Sequence, residues 1–407
     1  MKVNSWSHWQ PLKQVVLGNV FPPEFFEGVK DTKLRDSLQR VMYETREDLD
    51  GIKKTLEDLG VEVIQVDDCW TDNLALNPYK NFGEFLEKSR ESKSPTALAK
   101  PLLAPRDSYI TMGDELLITA QFNSQMPIDG KHPLDMFKPN MALVNDMWEN
   151  KDKKLGPFKV TEKMLLPFSQ NKKTELWQEQ EYFDMNMKRN PAEFRDYVYA
   201  SYSFSAPDIT RIGDTVLVDV DDRLGFAEWY NKIKPDNKFK FKAITQGGHN
   251  DGSMCLPRPG LVIGSPWMEK DFFKDTLPGW DCLIIEHPNN FKQQYPKEYE
   301  AFKSNKDADM TWYVDNEKSN KPFTNFVDTY LKEWVGFMEE SVFEVNMLSI
   351  DENTILSLNK QKEVHDKLKS VGIEPIYCRF RHRHFWDAGL HCLTLDTVRE
   401  GGCESYL

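Results

Sequence analysis

A repeated segment limits the folds that this chain can adopt. It occurs at residues 105–118 (PRDSYITMGDELLI) and again at residues 207–218 (PDITRIGDTVLV). Each copy holds an Asp, a short apolar strand, a Gly-Asp pair and a second strand, and the glycine suits the positive φ of a tight hairpin. The sequence therefore predicts two equivalent β-hairpins, led by Asp107 and Asp208.

Other segments extend this pattern along the chain. Residues 251–263 and 346–357 resemble further copies of the hairpin, and another strand is expected near the end, at Cys392–Leu395. Segments with helical spacing of apolar residues lie between the strands, so the fold class is α/β. We expect about five hairpin-plus-helix units that close into a ring around one central pocket. The alternative is that acidic hairpins are common and that the copies are alike by chance.

The charge and cysteine content exclude several classes of protein. The chain has 52 Lys plus Arg and 65 Asp plus Glu, a net charge of −13, so we expect no nucleic-acid partner. No run of about 18 apolar residues, the length that a membrane span needs, is present. The first residues resemble neither a secretory signal nor an organelle presequence. The six cysteines include no CxxC pair, which is typical of reduced thiols, so we expect a cytoplasmic protein.

The densest cluster of reactive side chains lies near the end of the sequence. His391 directly precedes Cys392, and Arg379, Arg381 and Arg383 lie shortly before them. A cysteine is a good nucleophile only as its thiolate, which nearby positive charge favours. Cys392 is therefore a candidate nucleophile. The alternative is a buried cysteine that only packs within a terminal strand.

A glycine-rich segment, residues 246–253 (QGGHNDGS), carries a second candidate group. His249 and Asp251 point the same way from an extended backbone, and the flanking glycines allow a ligand to approach the main chain. His249 could act as a general acid and base, and Asp251 could anchor a cation. Two alternatives are a metal site, for which no HxxxH or CxxC partner is found, and a histidine that only bonds the backbone.

The carboxylates that lead the two hairpins complete the candidate site. Carboxylates at strand starts commonly cap turns, but repeat symmetry would aim Asp107 and Asp208, with Asp251, at one place. Three carboxylates near a thiol and an imidazole suit a guanidinium, a planar cation whose N–H donors pair with carboxylates.

With these residues in place, the chain resembles the glycine amidinotransferases of the guanidino-group-modifying superfamily. The resemblance covers nearly the whole chain, from an opening at residues 3–18 to a tail at residues 396–407. Between them, four short motifs follow in the family's order: Pro105–Asp107, Ala206–Asp208, His249–Asp251 and Gly389–Cys392. It implies one domain, residues 1–407, folded as a five-bladed α/β propeller of ββαβ modules. The polar residues 292–321 are expected to form a peripheral insertion.

The resemblance implies a role for each candidate residue. Cys392 would attack the guanidinium carbon of arginine, which gives a covalent amidino-cysteine and ping-pong kinetics. His249 would protonate the departing ornithine and then deprotonate an acceptor amine. Asp208 would pair with His249 and orient it. Asp107 and Asp251 would clamp the guanidinium nitrogens.

The predicted partners are small molecules, namely arginine and an acceptor amine. No metal or organic cofactor is implied, and we expect a homodimer by analogy with the family. The predicted substrate-binding residues also include Arg106, which is adjacent to Asp107.

The chain departs from the family pattern at the substrate's far end. Met268 stands where an arginine would bind the donor's α-carboxylate, and Glu339 and Glu340 stand where the family has paired serines. We include Met268 and Glu340 among the substrate-binding residues and expect an acceptor other than glycine, such as lysine or a diamine; the alternative is that the alignment slips here. Two other functions remain open: a guanidine hydrolase such as an arginine deiminase, and a non-catalytic binding protein on the same fold.

Overall fold

The structure is a computed structural model. It describes residues 3–68, 79–91, 98–118, 154–155, 158–159, 206–219, 227, 230–231, 234–244, 249–285, 314–317, 319–332, 334–335, 340–358 and 361–407. Most of the predicted insertion, residues 292–321, lies outside the described residues.

The described residues form a mixed α/β fold with several small sheets. Four of these sheets have three strands, in the orders β16-β1-β2, β7-β8-β9, β10-β11-β12 and β13-β14-β15; β3-β4 and β5-β6 are two-stranded. The strands are β1 (Leu12–Leu17), β2 (Glu62–Gln65), β3 (Tyr109–Met112), β4 (Glu115–Ile118), β5 (Lys154–Leu155), β6 (Phe158–Lys159), β7 (Ile209–Ile212), β8 (Thr215–Asp219), β9 (Lys240–Ile244), β10 (Met254–Arg258), β11 (Leu261–Gly264), β12 (Asp281–Ile284), β13 (Leu348–Asp351), β14 (Thr354–Ser357), β15 (Glu374–Tyr377) and β16 (Thr394–Arg399).

Each three-stranded sheet joins an antiparallel pair to a parallel third strand, as in β7-β8-β9 and β13-β14-β15. The predicted hairpins are confirmed at β3-β4 and β7-β8, whose turns place Gly113 at φ 62° and Gly213 at φ 67°. The two further copies also form antiparallel pairs, β10-β11 and β13-β14.

Helices connect the parallel strands of three sheets. The described α-helices are Thr32–Asp58, Phe82–Glu91, Pro105–Ser108, Asn250–Ser253, Lys270–Thr276, Lys321–Tyr330, Glu340–Val345, Lys362–Ser370 and Arg383–Trp386. The first of them begins at an N-cap, because the Asp31 side chain accepts a hydrogen bond from the Leu34 N–H. Among the described helices, none combines the length and the apolar character that crossing a bilayer requires.

One predicted helix is shorter than its apolar spacing suggested. The apolar spacing of residues 323–338 predicts one helix over that whole segment, whereas the observed helix, Lys321–Tyr330, ends at Tyr330. The chain then turns to bury Trp334, whose indole N–H donates to the Leu98 carbonyl and whose ring stacks on Trp386. This tertiary packing decides where the helix stops.

The two ends of the chain tie the sheets together. Ser5 bridges to Gly113 and Ser7 bridges to Ile212, so the first residues run past the turn of one hairpin and the end of the next. Strand β16 pairs with β1 immediately after Cys392. Cys392, the candidate nucleophile, therefore lies where the first and last strands of the chain pair.

Candidate active site

Asn346 holds the turn that carries Cys392. Its side-chain oxygen accepts hydrogen bonds from the backbone N–H groups of His391 (2.8 Å) and Cys392 (3.1 Å). Its side-chain nitrogen donates to the Asp251 carbonyl and to the Cys392 Sγ, both at 3.1 Å. Gly389 is required beside it, because a Cβ there would lie 2.4 Å from the Asn346 amide. Sequence reasoning missed Asn346 as a site residue, although it begins the fourth predicted hairpin.

Asp251 joins the thiol to a histidine. Its Oδ2 lies 3.4 Å from the Cys392 Sγ and 2.9 Å from the His391 Nδ1, and all three side chains are buried. Desolvation opposes ionisation, but the His391 contact and nearby positive groups lower the pKa of Asp251 to about 2. Asp251 therefore stays ionised, and its carboxylate accepts a hydrogen bond from the Cys392 thiol.

A second histidine, His8, contacts the ring of His391. The His391 Nε2 lies 3.3 Å from the His8 Nδ1, and the two rings are 5.2 Å apart. Burial and the charge of Arg106 lower the pKa of His391 to about 4, and burial with Arg211 lowers the pKa of His8. Both rings are neutral near pH 7, so they support Asp251 by hydrogen bonding rather than by charge. Nothing in the sequence pattern indicated His8.

Asp208 holds His249 through the backbone. The Asp208 Oδ1 accepts a hydrogen bond of 2.7 Å from the His249 main-chain N–H, not from the imidazole. The Asn250 side chain adds a second link to the Asp208 carbonyl, at 2.8 Å. These bonds hold His249 in a left-handed conformation, φ 49° and ψ 71°, which is uncommon for a residue other than glycine. Asp208 thus positions the histidine, but by a different contact from the predicted one.

Several carboxylates surround the His249 ring. Desolvation lowers the pKa of His249, but the charges of Asp107, Asp251 and Asp208 outweigh it and raise that pKa. Burial raises the pKa of Asp107 to about 6 and the pKa of Asp208 to about 6. The structure therefore brings together the three carboxylates that repeat symmetry aimed at one place. Their negative charges therefore favour the protonated form of the His249 ring.

The thiol is neutral in this environment. Burial raises the pKa of Cys392 well above its usual value, and the negative charges of Asp251 and Asp107 add to this effect. The expectation that neighbouring arginines lower the thiol pKa was wrong. Arg381 pairs instead with Asp48 at 2.9 Å, on the helix Thr32–Asp58.

Arg106 lies in a buried ionic cluster beneath the nucleophile. Its Nη2 donates to the Asp396 Oδ1 (2.7 Å), and its Nε donates to the backbone carbonyls of His391 and Thr394, both at 2.9 Å. These contacts occupy the guanidinium with protein atoms. The structure therefore places Arg106 as a support for the Cys392 turn, whereas we had predicted substrate contact.

The structure gives less information on Met268 and Glu340, which were predicted to bind the end of the substrate away from the guanidinium. Met268 is buried in an apolar cluster with Trp9 and Leu217. Glu340 begins the helix Glu340–Val345, but its side chain and the whole of Glu339 lie outside the described residues. Within the described residues, no group of three or more His, Cys, Asp or Glu side chains could hold a metal ion.

Comparison with known proteins finds a similarity to an amidinotransferase. A curated L-arginine:L-lysine amidinotransferase from Pseudomonas savastanoi pv. phaseolicola is 32% identical to this chain over 249 residues. The match covers 59% of the chain and 57% of the relative, so the chain spans little more than half the length of that amidinotransferase. No family model matches the chain.

Two solved amidinotransferases have a similar fold. One, from Microseira wollei, belongs to the saxitoxin biosynthetic pathway; it is 16% identical, with a TM-score of 0.54 over 100% of this chain and 99% of that one. The other is an inosamine-phosphate amidinotransferase from Streptomyces griseus, 15% identical, with a TM-score of 0.51 over 99% of each chain. At this level of identity the likeness shows the fold alone.

The arrangement of these side chains is suited to a guanidinium. A cation placed between Asp107 and Asp251 would be held by two carboxylates and would lie beside the thiol. Its positive charge would favour the thiolate, which burial and the charges of Asp251 and Asp107 disfavour, so the bound cation and the thiol would activate each other. The protonated His249 would be ready to donate a proton to a leaving amine.

The raised carboxyl pKa values predict the acid side of the pH profile. Asp107 and Asp208 each lose their charge as the pH falls through about 6, because their pKa values are raised to about 6. We expect kcat/KM for a guanidinium substrate to fall below pH 6 by more than roughly tenfold per unit, since two groups must be ionised. Asp107→Asn should lower kcat/KM at pH 8 and reduce the slope to that of one proton. A profile from pH 5 to 8 with the same slope in both proteins would contradict the assignment.

Proposed function

We propose that this protein is an enzyme that transfers the amidino group of L-arginine to an acceptor amine through a covalent amidino-Cys392, and releases ornithine. The observation that carries the proposal is that Asp251 contacts the Cys392 thiol and also acts, with Asp107 and Asp208, on His249. A nucleophile, an acid and a guanidinium clamp therefore meet at one place.

In the first half-reaction, the Cys392 sulfur attacks the guanidinium carbon, and the bond from this carbon to the δ-nitrogen of arginine breaks. The protonated His249 gives its proton to the departing nitrogen. The thiol proton then passes by way of His249 to the same nitrogen, so ornithine leaves with a δ-ammonium and His249 is left neutral. Asp107 and Asp251 hold the positive charge on the amidino group throughout.

In the second half-reaction, the acceptor amine attacks the amidino carbon and the carbon–sulfur bond breaks. The neutral His249 takes one proton from the incoming ammonium, and a second proton passes from the same nitrogen to the departing sulfur. The enzyme thereby returns to a protonated His249 and a neutral Cys392 thiol. Because ornithine leaves before the acceptor reacts, the kinetics are ping-pong. Asp208 serves both halves by holding the His249 backbone.

We also propose that the small sheets are modules of one ring. The four three-stranded sheets and the β3-β4 hairpin make five units, and the antiparallel pair plus a parallel third strand is the ββαβ pattern. A five-bladed propeller agrees with the folds of the two solved amidinotransferases. In such a ring the residues that lead each hairpin would face one central site, as Asp107 and Asp208 do.

The acceptor that we propose is lysine. The curated relative described above is an L-arginine:L-lysine amidinotransferase. Glu340 adds an acidic residue where the family pattern has a serine. This change favours an acceptor with a second ammonium over glycine.

A competition assay tests the reaction and the acceptor together. The protein is incubated with arginine labelled in its guanidino carbon and with equal glycine, lysine and putrescine, and the products are identified by mass. We expect one ornithine per guanidinylated product and a preference for lysine over glycine of roughly tenfold or more in kcat/KM. In Glu340→Ser the ratio should move toward glycine.

Two results would contradict this proposal in different ways. Citrulline and ammonia formed without any acceptor would identify a guanidine hydrolase. Glycine as the preferred acceptor, with an unchanged ratio in Glu340→Ser, would keep amidino transfer and remove the assignment of lysine.

A further inference from the structure

Asp387 has a conformation that its own side chain does not explain. It ends the helix Arg383–Trp386 in the left-handed region, φ 52° and ψ 46°, and its backbone N–H donates to the Arg383 carbonyl. An aspartate usually tolerates this region through a local hydrogen bond of its carboxylate. The Asp387 Oδ1, however, is buried and makes no hydrogen bond to any described residue. A buried acceptor without a donor is uncommon and costly, so its position calls for a functional explanation.

Lys100 places an ammonium beside this carboxylate. Its Nζ donates a hydrogen bond of 2.8 Å to the carbonyl of Trp386, the residue before Asp387. An ammonium has three donors, and that bond uses one of them. Lys100 acts electrostatically on Asp387, yet in the described part of the chain the two form no ion pair within bonding distance. Burial raises the pKa of Asp387, and the charge of Lys100 opposes this effect and favours the carboxylate.

Rigid packing keeps the two charges in place. Trp386 is buried, stacks on Trp334 with ring centroids 5.4 Å apart, and donates from its indole N–H to the Thr45 hydroxyl. The segment before Lys100 is fixed by the Leu98 N–H, which donates to the Tyr330 carbonyl at 2.7 Å. Both charged side chains therefore extend from a preorganised frame, as a binding site requires.

Lys100 and Asp387 act electrostatically on the part of the site that would hold the amidino group. The Asp387 charge is one of those that raise the pKa of His249, and the Lys100 charge opposes the raised pKa of Asp107. A ligand whose guanidinium lies between the clamp carboxylates would thus extend toward a separate anion and a separate cation.

We propose that Lys100 and Asp387 form a subsite for the α-carboxylate and the α-ammonium of an amino-acid substrate. An α-amino acid carries both charges on one carbon, and this subsite offers a partner of opposite sign to each. The inference rests on the proposed function and goes further, because it names the residues that bind the α-carboxylate and the α-ammonium at both steps. Ornithine leaves and the acceptor enters the same place in a ping-pong reaction, so one subsite serves donor and acceptor.

Direct binding to the inactive Cys392→Ala protein tests the subsite without turnover. Three ligands share the guanidinium: arginine, agmatine, which lacks the carboxylate, and 5-guanidinopentanoate, which lacks the amino group. We expect agmatine and 5-guanidinopentanoate each to bind roughly 10- to 100-fold more weakly than arginine, the range for a hydrogen-bonded charge. Adding Lys100→Met should abolish the discrimination against agmatine alone, and adding Asp387→Asn should abolish the discrimination against 5-guanidinopentanoate alone.

Two further variants separate binding from folding. Asp387→Gly relieves the left-handed conformation, so it should raise the thermal midpoint while it weakens arginine binding; a merely structural role would move both the same way. Lys54→Met is the matched control, since Lys54 pairs with Asp58 on an exposed helix surface, and it should leave all three affinities unchanged.

The outcomes distinguish the two levels of the proposal. Failure of the Cys392→Ala protein to bind arginine, together with no arginine consumption by the parent protein, would overturn the proposed function and this subsite with it. Tight arginine binding with equal affinity for agmatine, or ligand ratios unchanged by Lys100→Met and Asp387→Asn, would overturn the subsite and leave amidino transfer standing.

Discussion

Cys392→Ala should release no measurable ornithine from arginine, with kcat/KM reduced by about 10⁴-fold or more. In the proposed mechanism the sulfur is the atom that forms the covalent bond, and Asp251 and Asn346 are both arranged around it, at 3.4 Å and 3.1 Å. Without it, arginine can still bind to the carboxylates, but the amidino group has no protein atom to which it can transfer. The measurements are the initial rate of ornithine release and the mass of the intact protein after incubation with arginine.

The controls separate chemistry from folding. The parent protein, incubated with arginine alone, should gain the mass of one amidino group, and Cys392→Ala should not. Cys403→Ala changes a half-buried thiol outside the site and should leave the rate within about twofold. Turnover by Cys392→Ala within about tenfold of the parent, a barrier change of only about 1.4 kcal/mol, would rule out the covalent mechanism.

Asp396→Asn should lower the free energy of unfolding by about 3–5 kcal/mol. Asp396 is fully buried and accepts hydrogen bonds from Arg106 (2.7 Å), Arg211 (2.9 Å), Arg399 (2.7 Å) and the Ser5 hydroxyl (2.6 Å). Three guanidinium groups share this one carboxylate, so its removal leaves buried positive charges without compensation. Because Arg106 also bonds the His391 carbonyl, the variant should lose activity as well. Denaturant titration at pH 7 measures the change.

The same cluster sets the direction of the pH dependence of stability. Its arginines outweigh the desolvation of Asp396 and hold the pKa of this carboxyl well below its usual range. The stabilisation is therefore present above the unfolded-state pKa of about 3.9 and is lost as the pH falls through the folded-state value. Asp58→Asn, at an exposed ion pair with Lys54, should cost about 0.5 kcal/mol or less. Equal effects from the two substitutions would show that the cluster contributes little.

The sequence was sufficient where the signal is local or repeated. The Gly-Asp pairs predicted the hairpins at Gly113 and Gly213, because the positive φ that each turn needs is a property of the residue itself. The repeat likewise predicted that Asp107 and Asp208 lie at equivalent places near His249. The short motif ending in Cys392 pointed to the nucleophile through its resemblance to a family.

Only the tertiary structure decided how these residues are supported. Asn346 is 46 residues from Cys392 and 95 from Asp251, and His8 is 383 residues from His391. The tertiary structure also pairs Arg106 with the buried Asp396, and it places the Asp208 carboxylate against the backbone N–H of His249. Hydrophobic spacing and turn residues report only on neighbours along the chain, whereas these contacts exist only once the sheets have packed and excluded water. Buried polar atoms must then find partners wherever the fold has brought them.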